Sequence, residues 1–298
     1  FIVPEMIHYT NMRHNLEEIS KSEFPELLKQ IPDPPKRLWY TGEKPVDGNI
    51  LLCVVGSRSY SPYGKEVCET LISELRGQPI TIISGLALGI DSIAHTSALS
   101  AGLQTIAVPG SGLNSNVLYP RSNLGLARNI LESGGGLISE FEPNFKATPW
   151  SFPQRNRIMA GMSQAILVIE AGIKSGTLIT ARLASDYNRE VLTVPGSIFS
   201  KQSEGPHQLI RLGATPIRKV EDILEALHLE VPQERIKEAV YKDCSPEEIK
   251  MLTLLEHPCE RDGLLKKSGL TISEINSLLA ILELKGLIRE FMGEIHRL

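Results

Sequence analysis

From residue 50 onwards the chain alternates short apolar runs with helical stretches, and most runs end in glycine or serine. The runs cover residues 51–55, 80–83, 105–108, 137–139, 165–169 and 191–194. Their apolar residues fall on both sides of the pleat, as a strand covered by helices on both faces requires. The alternation therefore predicts βαβ units and an α/β fold with a parallel sheet.

The pattern differs at both ends of the chain. Residues 1–45 read as a lead-in: a helical pattern from Asn15 to Gln30, then the breaker cluster Ile31-Pro32-Asp33-Pro34-Pro35. This suits the remnant of a helical domain. Residues 46–228 form the α/β domain, and the polar stretch 229–242 reads as a linker. In residues 243–298, Ser245-Pro246-Glu247-Glu248 caps a helix, a short helix lies around Asp262 to Lys267, and Thr271 to Glu274 opens a longer helix to Leu284. Gly286 then leads into two edge strands. Helix, helix, helix and ribbon is the winged-helix pattern.

Composition narrows the class. An apolar fraction of 42% with 22% charged residues is ordinary for a globular chain, and no run is long and apolar enough to predict a membrane span. Cys53, Cys68, Cys244 and Cys259 form no C-x-x-C pair, which argues against a zinc site or a disulfide framework and for a reducing cytoplasm. The chain opens Phe1-Ile2-Val3-Pro4 without a signal-peptide pattern, as expected of a trimmed fragment. A formal charge of −4 says little about nucleic acid, because an overall sum can hide clustered cations.

Ligands of open parallel sheets bind beyond the carboxyl ends of the strands. Five such ends are rich in small residues: Gly56-Ser57-Arg58, Ser84 to Gly89, Pro109 to Gly112, Ala171 to Thr177, and Pro195-Gly196-Ser197. Glycines admit close backbone approach, and free amides at a helix start attract anions, so the pattern predicts a phosphate cradle. Arg58, Arg155, Arg157 and Lys174 add cations near the same edge. Neither G-x-G-x-x-G nor G-x-x-x-x-G-K-[ST] occurs, which disfavours NAD and ATP, and no cofactor is expected.

Three long motifs carry a family resemblance: Ser84 to His95, Phe152 to Gly161, and Glu170 to Ala181. With Val194 to Ser197 and Leu209 to Ala214, they closely resemble the DNA-processing protein A family (DprA, also called Smf). The resemblance covers roughly Phe24 to Leu227, and the tail looks like the winged helix many members carry. It implies an extended Rossmann-like sheet, a homodimer in the cytoplasm, and binding of single-stranded DNA without catalysis. It further implies delivery of that strand to RecA recombinase during DNA uptake in natural transformation. Arg58 and Lys174 match its phosphate-binding positions, and Gly56, Ser57 and Gly176 its small pocket residues. Ser175 and Thr177 flank Gly176, with Thr177 standing where serine is usual. Arg155 and Arg157 lie in its R-N-R motif, and for Arg157 two roles stay open: contact with DNA, or internal bonds that hold the pocket. The segment containing His207 and Ile210 is associated with self-association, although packing against the last strand explains it equally well.

Other residues invite chemistry. Asp91 and His95, four apart on a helix, have acid–base spacing but no accompanying nucleophile or metal group, so a structural role is expected. Glu140, Glu142 and Glu170 read as helix caps or arginine partners, and Phe152 or Tyr119 as a base-stacking ring or as core. The tail from Asp243 holds ten acids against seven bases, and its recognition helix, 273–284, has no base. That favours a protein partner over duplex DNA. The competing enzyme reading is a Rossmann-like phosphoribohydrolase, which needs a glutamate beside a phosphate loop. A nucleotide-sensing regulator is a third reading.

Overall fold

The computed structural model describes residues 15–230, 244–255, 259–291 and 293–297. The chain divides into two compact units between Leu229 and Glu230. The first is built on a nine-stranded sheet, in chain order β1 (Glu17–Ile19), β2 (Leu38–Gly42), β3 (Ile50–Val55), β4 (Ile80–Ser84), β5 (Thr105–Ala107), β6 (Gly136–Ser139), β7 (Ala165–Val168), β8 (Glu190–Thr193) and β9 (Thr215–Pro216). The spatial order is β1-β2-β6-β5-β4-β3-β7-β8-β9. Strands β3 to β9 pair in parallel, while β2 joins β6, and β1 joins β2, antiparallel. The six apolar runs of the sequence are β3 to β8.

The helices are α1 (Glu26–Lys29), α2 (Pro62–Glu74), α3 (Ile90–Ser100), α4 (Leu124–Glu132), α5 (Ser151–Met162), α6 (Gly176–Asp186), α7 (Glu204–Arg211) and α8 (Val220–Ala226). The pleat divides the core between two faces. Leu51, Cys53 and Val55 of β3 pack with Leu28 of α1, Ile158 of α5 and Ala181 of α6. Leu52 and Val54, equally buried, point to the opposite face. On that face Ala107 and Leu137 meet Ala127, Ile130 and Leu131 of α4. Each buried Leu or Ile contributes about 1.5–3 kcal/mol relative to exposure.

The strand order reverses at β3. The chain moves outward from β3 through β4 and β5 to β6, and α5 then carries it back to β7 on the other flank of β3. Loops leaving β3 and β7 diverge to opposite faces, which opens a crevice beyond their carboxyl ends.

The lead-in requires a correction. Its residues 17–19 and 38–42 are sheet strands, and the helix expected from Asn15 to Gln30 shrinks to one 3₁₀ turn (Lys21–Glu23) and α1. Pro25, which has no amide to donate, sits between them as the N-cap of α1, and Ile19 turns into the sheet core. Residues 1–14, and the expected linker beyond Glu230 up to 242, lie outside the described residues.

The second unit contains α9 (Pro246–Leu254), β10 (Cys259–Glu260), α10 (Arg261–Ser268), α11 (Ile272–Leu284), β11 (Ile288–Phe291) and β12 (Glu294–Arg297), with sheet order β10-β12-β11. Capping boxes start two of the helices, Ser245 with Glu248 and Thr271 with Glu274. Leu252, Leu264, Leu282 and Ile295 lie in its separate core. This is the winged helix expected of the tail, with β10 added to the ribbon. No helix among the described residues is long and apolar enough to cross a membrane, and their cysteines are free.

Candidate functional site

A cavity of about 590 Å³ opens at the crevice between β3 and β7. The loop after β3 contributes Gly56, Ser57, Arg58 and Ser59; the loop after β7 and the start of α6 contribute Gly172, Lys174, Ser175, Gly176 and Thr177. Ala87 enters from the loop after β4 and Asp91 from the first turn of α3, and α5 presents Phe152, Arg155, Asn156 and Met159. Of the nine residues expected to hold phosphate, eight meet here; Arg157 does not.

The first turn of α6 faces the cavity. Ser175 is its N-cap and accepts from the Thr177 amide at 3.2 Å, while the Thr177 hydroxyl donates to the Gly56 carbonyl at 3.1 Å. One side chain thus ties the two main loops together. An α-helix start carries free amides and partial positive charge, so this wall suits an anion. Arg58 and Lys174 are exposed on the cavity rim, and neither is ion-paired to a described residue. The Arg58 guanidinium lies 5.2 Å from the centre of the Phe152 ring, a cation–π contact that holds it over the opening.

Arg155 is different in kind. Its side chain is buried, donating to the carbonyls of Gly85 (2.6 Å) and Val108 and to Asn156 Oδ1 (3.1 Å). Burial lowers its pKa to about 10, and nearby Asp91 opposes the shift, so it stays charged at neutral pH. Its fork is committed to the cavity floor and adds background charge. Asp91 accepts from the Gly85 amide at 3.1 Å; burial raises its pKa, against the field of Arg155. His95 Nδ1 meets Thr105 Oγ1 at 2.7 Å, and burial pushes the imidazole down to about 3, leaving it neutral. Both residues hold structure.

Arg157 points away from the cavity. It pairs with Glu140, donates to the Asp33 carbonyl at 2.6 Å and approaches the Asp33 carboxylate at 3.7 Å. Two residues along a helix turn a side chain through about 200°, so Arg155 and Arg157 cannot share a face. The expectation that Arg157 touches a phosphate gives way to its other role, a clamp between α5 and the segment ahead of β2. Glu142 pairs with Arg37, and Glu170 caps α2 by accepting from the Ser61 amide and hydroxyl.

The glycine cradle is narrower than expected. A Cβ on Gly56 would lie 2.6 Å from Ile90, one on Gly85 2.5 Å from Asp91, and one on Gly112 2.2 Å from the Glu142 carbonyl. These glycines serve the protein's own packing. On Gly176 a Cβ would meet nothing within 4 Å, so this position faces open cavity. The loops after β5 and β8 do not line the cavity: Phe152 packs over Gly110, and Ser203 stands against Gly196. The sequence reading missed Asn156 and Met159, although their spacing from Phe152 along one helix face was the available signal.

His207 and Ile210 lie on α7 away from this cavity, with His207 Nε2 3.0 Å from the Gly196 carbonyl oxygen. A separate groove of about 970 Å³, between α6 and α7, is lined by neither; Ile173, Ile179 and Leu212 stand exposed along it.

A family model described as DNA recombination-mediator protein A matches residues 15–228, and one described as DprA winged helix domain matches residues 241–294. Protein Smf of Escherichia coli is 37% identical over 296 residues, which cover 96% of this chain and 78% of that protein. The X-ray structure of DNA processing protein A from Streptococcus pneumoniae superposes with a TM-score of 0.66 at 37% identity, covering 72% of this chain and 75% of that one. DNA processing protein A of Helicobacter pylori, whose structure was solved for its single-stranded DNA binding mode, gives 0.64 at 29% identity over 72% of this chain and 96% of that one. With its sheet order, its winged-helix unit and these matches, the chain belongs to the DNA recombination-mediator protein A (DprA/Smf) family.

Proposed function

We propose that this protein binds single-stranded DNA by its phosphates in the cavity between β3 and β7 and makes or breaks no bond. The observation that carries the reading is the pair of rim cations, Arg58 and Lys174, neither ion-paired to a described residue, beside the positive end of α6. A flexible polyanion fits that arrangement, since each neutralised phosphate releases counterions. Among the described residues the one carboxylate lining the cavity is Asp91, which is held by the Gly85 amide beside a buried arginine. Glu170, the glutamate nearest in sequence to the phosphate loop, is used up as a helix cap. A phosphoribohydrolase would need such a group free. The single-stranded DNA binding mode of the Helicobacter pylori relative supports the same reading.

The protein then acts as a cytoplasmic recombination mediator that passes the strand to RecA recombinase during DNA uptake. A homodimer would place two cavities on one strand and gain avidity. The exposed apolar groove between α6 and α7 supports an association surface of that kind, with His207 and Ile210 on the same helix as Leu209, which lines it.

Fluorescence anisotropy with labelled oligothymidylate and a matched duplex, across a salt series, tests the reading. The single strand binds more tightly than the duplex, affinity falls with salt, and Arg58→Ala and Lys174→Ala each weaken binding and flatten the salt slope. Equal affinity for duplex and strand, or wild-type binding by both variants, refutes it.

A further inference from the structure

Outside the cavity stand apolar side chains that the core does not use. Phe199, in the loop that follows β8, is 92% exposed, and its neighbour Ile198 is 79% exposed. A phenylalanine left in water forgoes the gain of burial, and this loop is no loose tether. Within the turn, the Phe199 amide donates to Ser197 Oγ at 3.2 Å and the Ser200 amide to the Ser197 carbonyl at 3.0 Å.

One flank of the loop is tied to the cavity loops and the other to α2. The Ala171 amide donates to the Gln202 carbonyl at 2.8 Å, just ahead of Gly172 and Lys174. Gln202 Nε2 donates to the Ser59 carbonyl at 3.4 Å, beside Arg58, and Tyr63 Oη donates to the Pro195 carbonyl at 2.8 Å. The loop is therefore braced between the two segments that carry the free cations. Tyr60, next to the cavity-lining Ser59, is 44% exposed, and Lys201 is exposed two residues after Phe199.

We infer that Phe199, with Tyr60 beside it, is a stacking subsite for the base of a nucleotide flanking the phosphates held in the cavity. The inference rests on the single-strand reading above. Aromatic rings interleaved with cations along a groove are how proteins hold single strands without reading sequence, because every base has a face to stack. A protein partner docking on Phe199 would instead have to desolvate Lys201, two residues along. Phe152, on the inner wall, is already covered by the Arg58 guanidinium and by Tyr119 at 5.6 Å, so the outer rings are the free ones.

The test uses the full chain and oligothymidylate, intact or with a single abasic residue walked along it. Phe199→Ala weakens binding about tenfold with an unchanged salt slope, Tyr60→Ala weakens it less, and Phe199→Trp stays within about twofold of wild type. An abasic residue at one position weakens the wild type by a similar factor and has no effect on Phe199→Ala. Wild-type affinity in Phe199→Ala, or equal losses on intact and abasic strands, overturns the inference and turns the exposed ring toward a protein partner. Arg58→Ala and Lys174→Ala are measured in the same series. If they bind normally, the cavity reading falls and takes the subsite with it; if they lose affinity while Phe199→Ala does not, the subsite alone falls.

Discussion

Two cations at the cavity rim and two on the winged helix are spent in opposite ways. On the first unit, Arg58 and Lys174 stand free at the cavity rim. On the winged helix, Arg261 pairs with Glu290 at 2.6 Å and Lys285 with Glu248 at 2.7 Å. A fold best known for reading duplex DNA thus has two of its cations tied to its own acids, and its helix α11 offers no base at all. The β3–β7 crevice belongs to a fold better known for nucleotides, and it keeps its charge available to a polyanion. Neither net charge nor fold name separates the two sites; the pairing state of these four cations does.

The largest effect expected from that contrast is in the double variant Arg58→Ala/Lys174→Ala. Each charge-assisted contact is worth about 1.5–3 kcal/mol, so together they cost roughly a hundredfold or more in single-strand affinity, read by anisotropy at fixed salt. Arg157 sharpens the same point inside the first unit. Because it is an internal clamp, Arg157→Ala lowers unfolding free energy by about 2 kcal/mol in urea titration and leaves the salt slope of DNA binding unchanged. A reduced slope would return Arg157 to the DNA-contacting set.

That distinction shows how far the sequence could be read. The six buried strands were legible because an apolar run covered on both faces has few alternatives, and the winged helix because its caps are local chemistry. The lead-in was not. β2 owes its conformation to pairing with β6, over ninety residues away, and β1 to pairing with β2 in turn, and nothing local in Glu17–Ile19 announces it. At the site, the converging loops were legible, whereas the state of each cation was not. Arg155 and Arg157 sit in one short motif, and only the helical rotation between them, with Glu140 and Asp33 arriving from elsewhere, separates the two fates. Glycine was misread for the same reason, since a missing Cβ looks identical whether a ligand or a neighbouring side chain needs the space.

Two glycine variants turn that ambiguity into a measurement, with a smaller expected effect. Gly56→Ala drives a methyl into Ile90 and costs about 1–3 kcal/mol of stability. Gly176→Ala meets no neighbour, so thermal denaturation stays at the wild-type midpoint or slightly above it, because alanine is the better residue within a helix. DNA binding by Gly176→Ala nevertheless weakens, as a methyl group now stands where a phosphate would approach the amides. Unchanged binding would move the strand away from the start of α6.

The smallest expected effect bears most directly on the contrast between the units. A chain ending at Leu229 keeps the whole sheet and its core, since the winged helix has a core of its own. Its affinity for oligothymidylate should stay within about twofold of the full chain and its salt slope should not change, because the slope counts phosphates neutralised and the lost cations include two already neutralised by Glu290 and Glu248. A slope that falls by one or more on truncation would mean that the strand itself breaks those pairs. The cost of separating each carboxylate from its cation would then be part of the binding free energy.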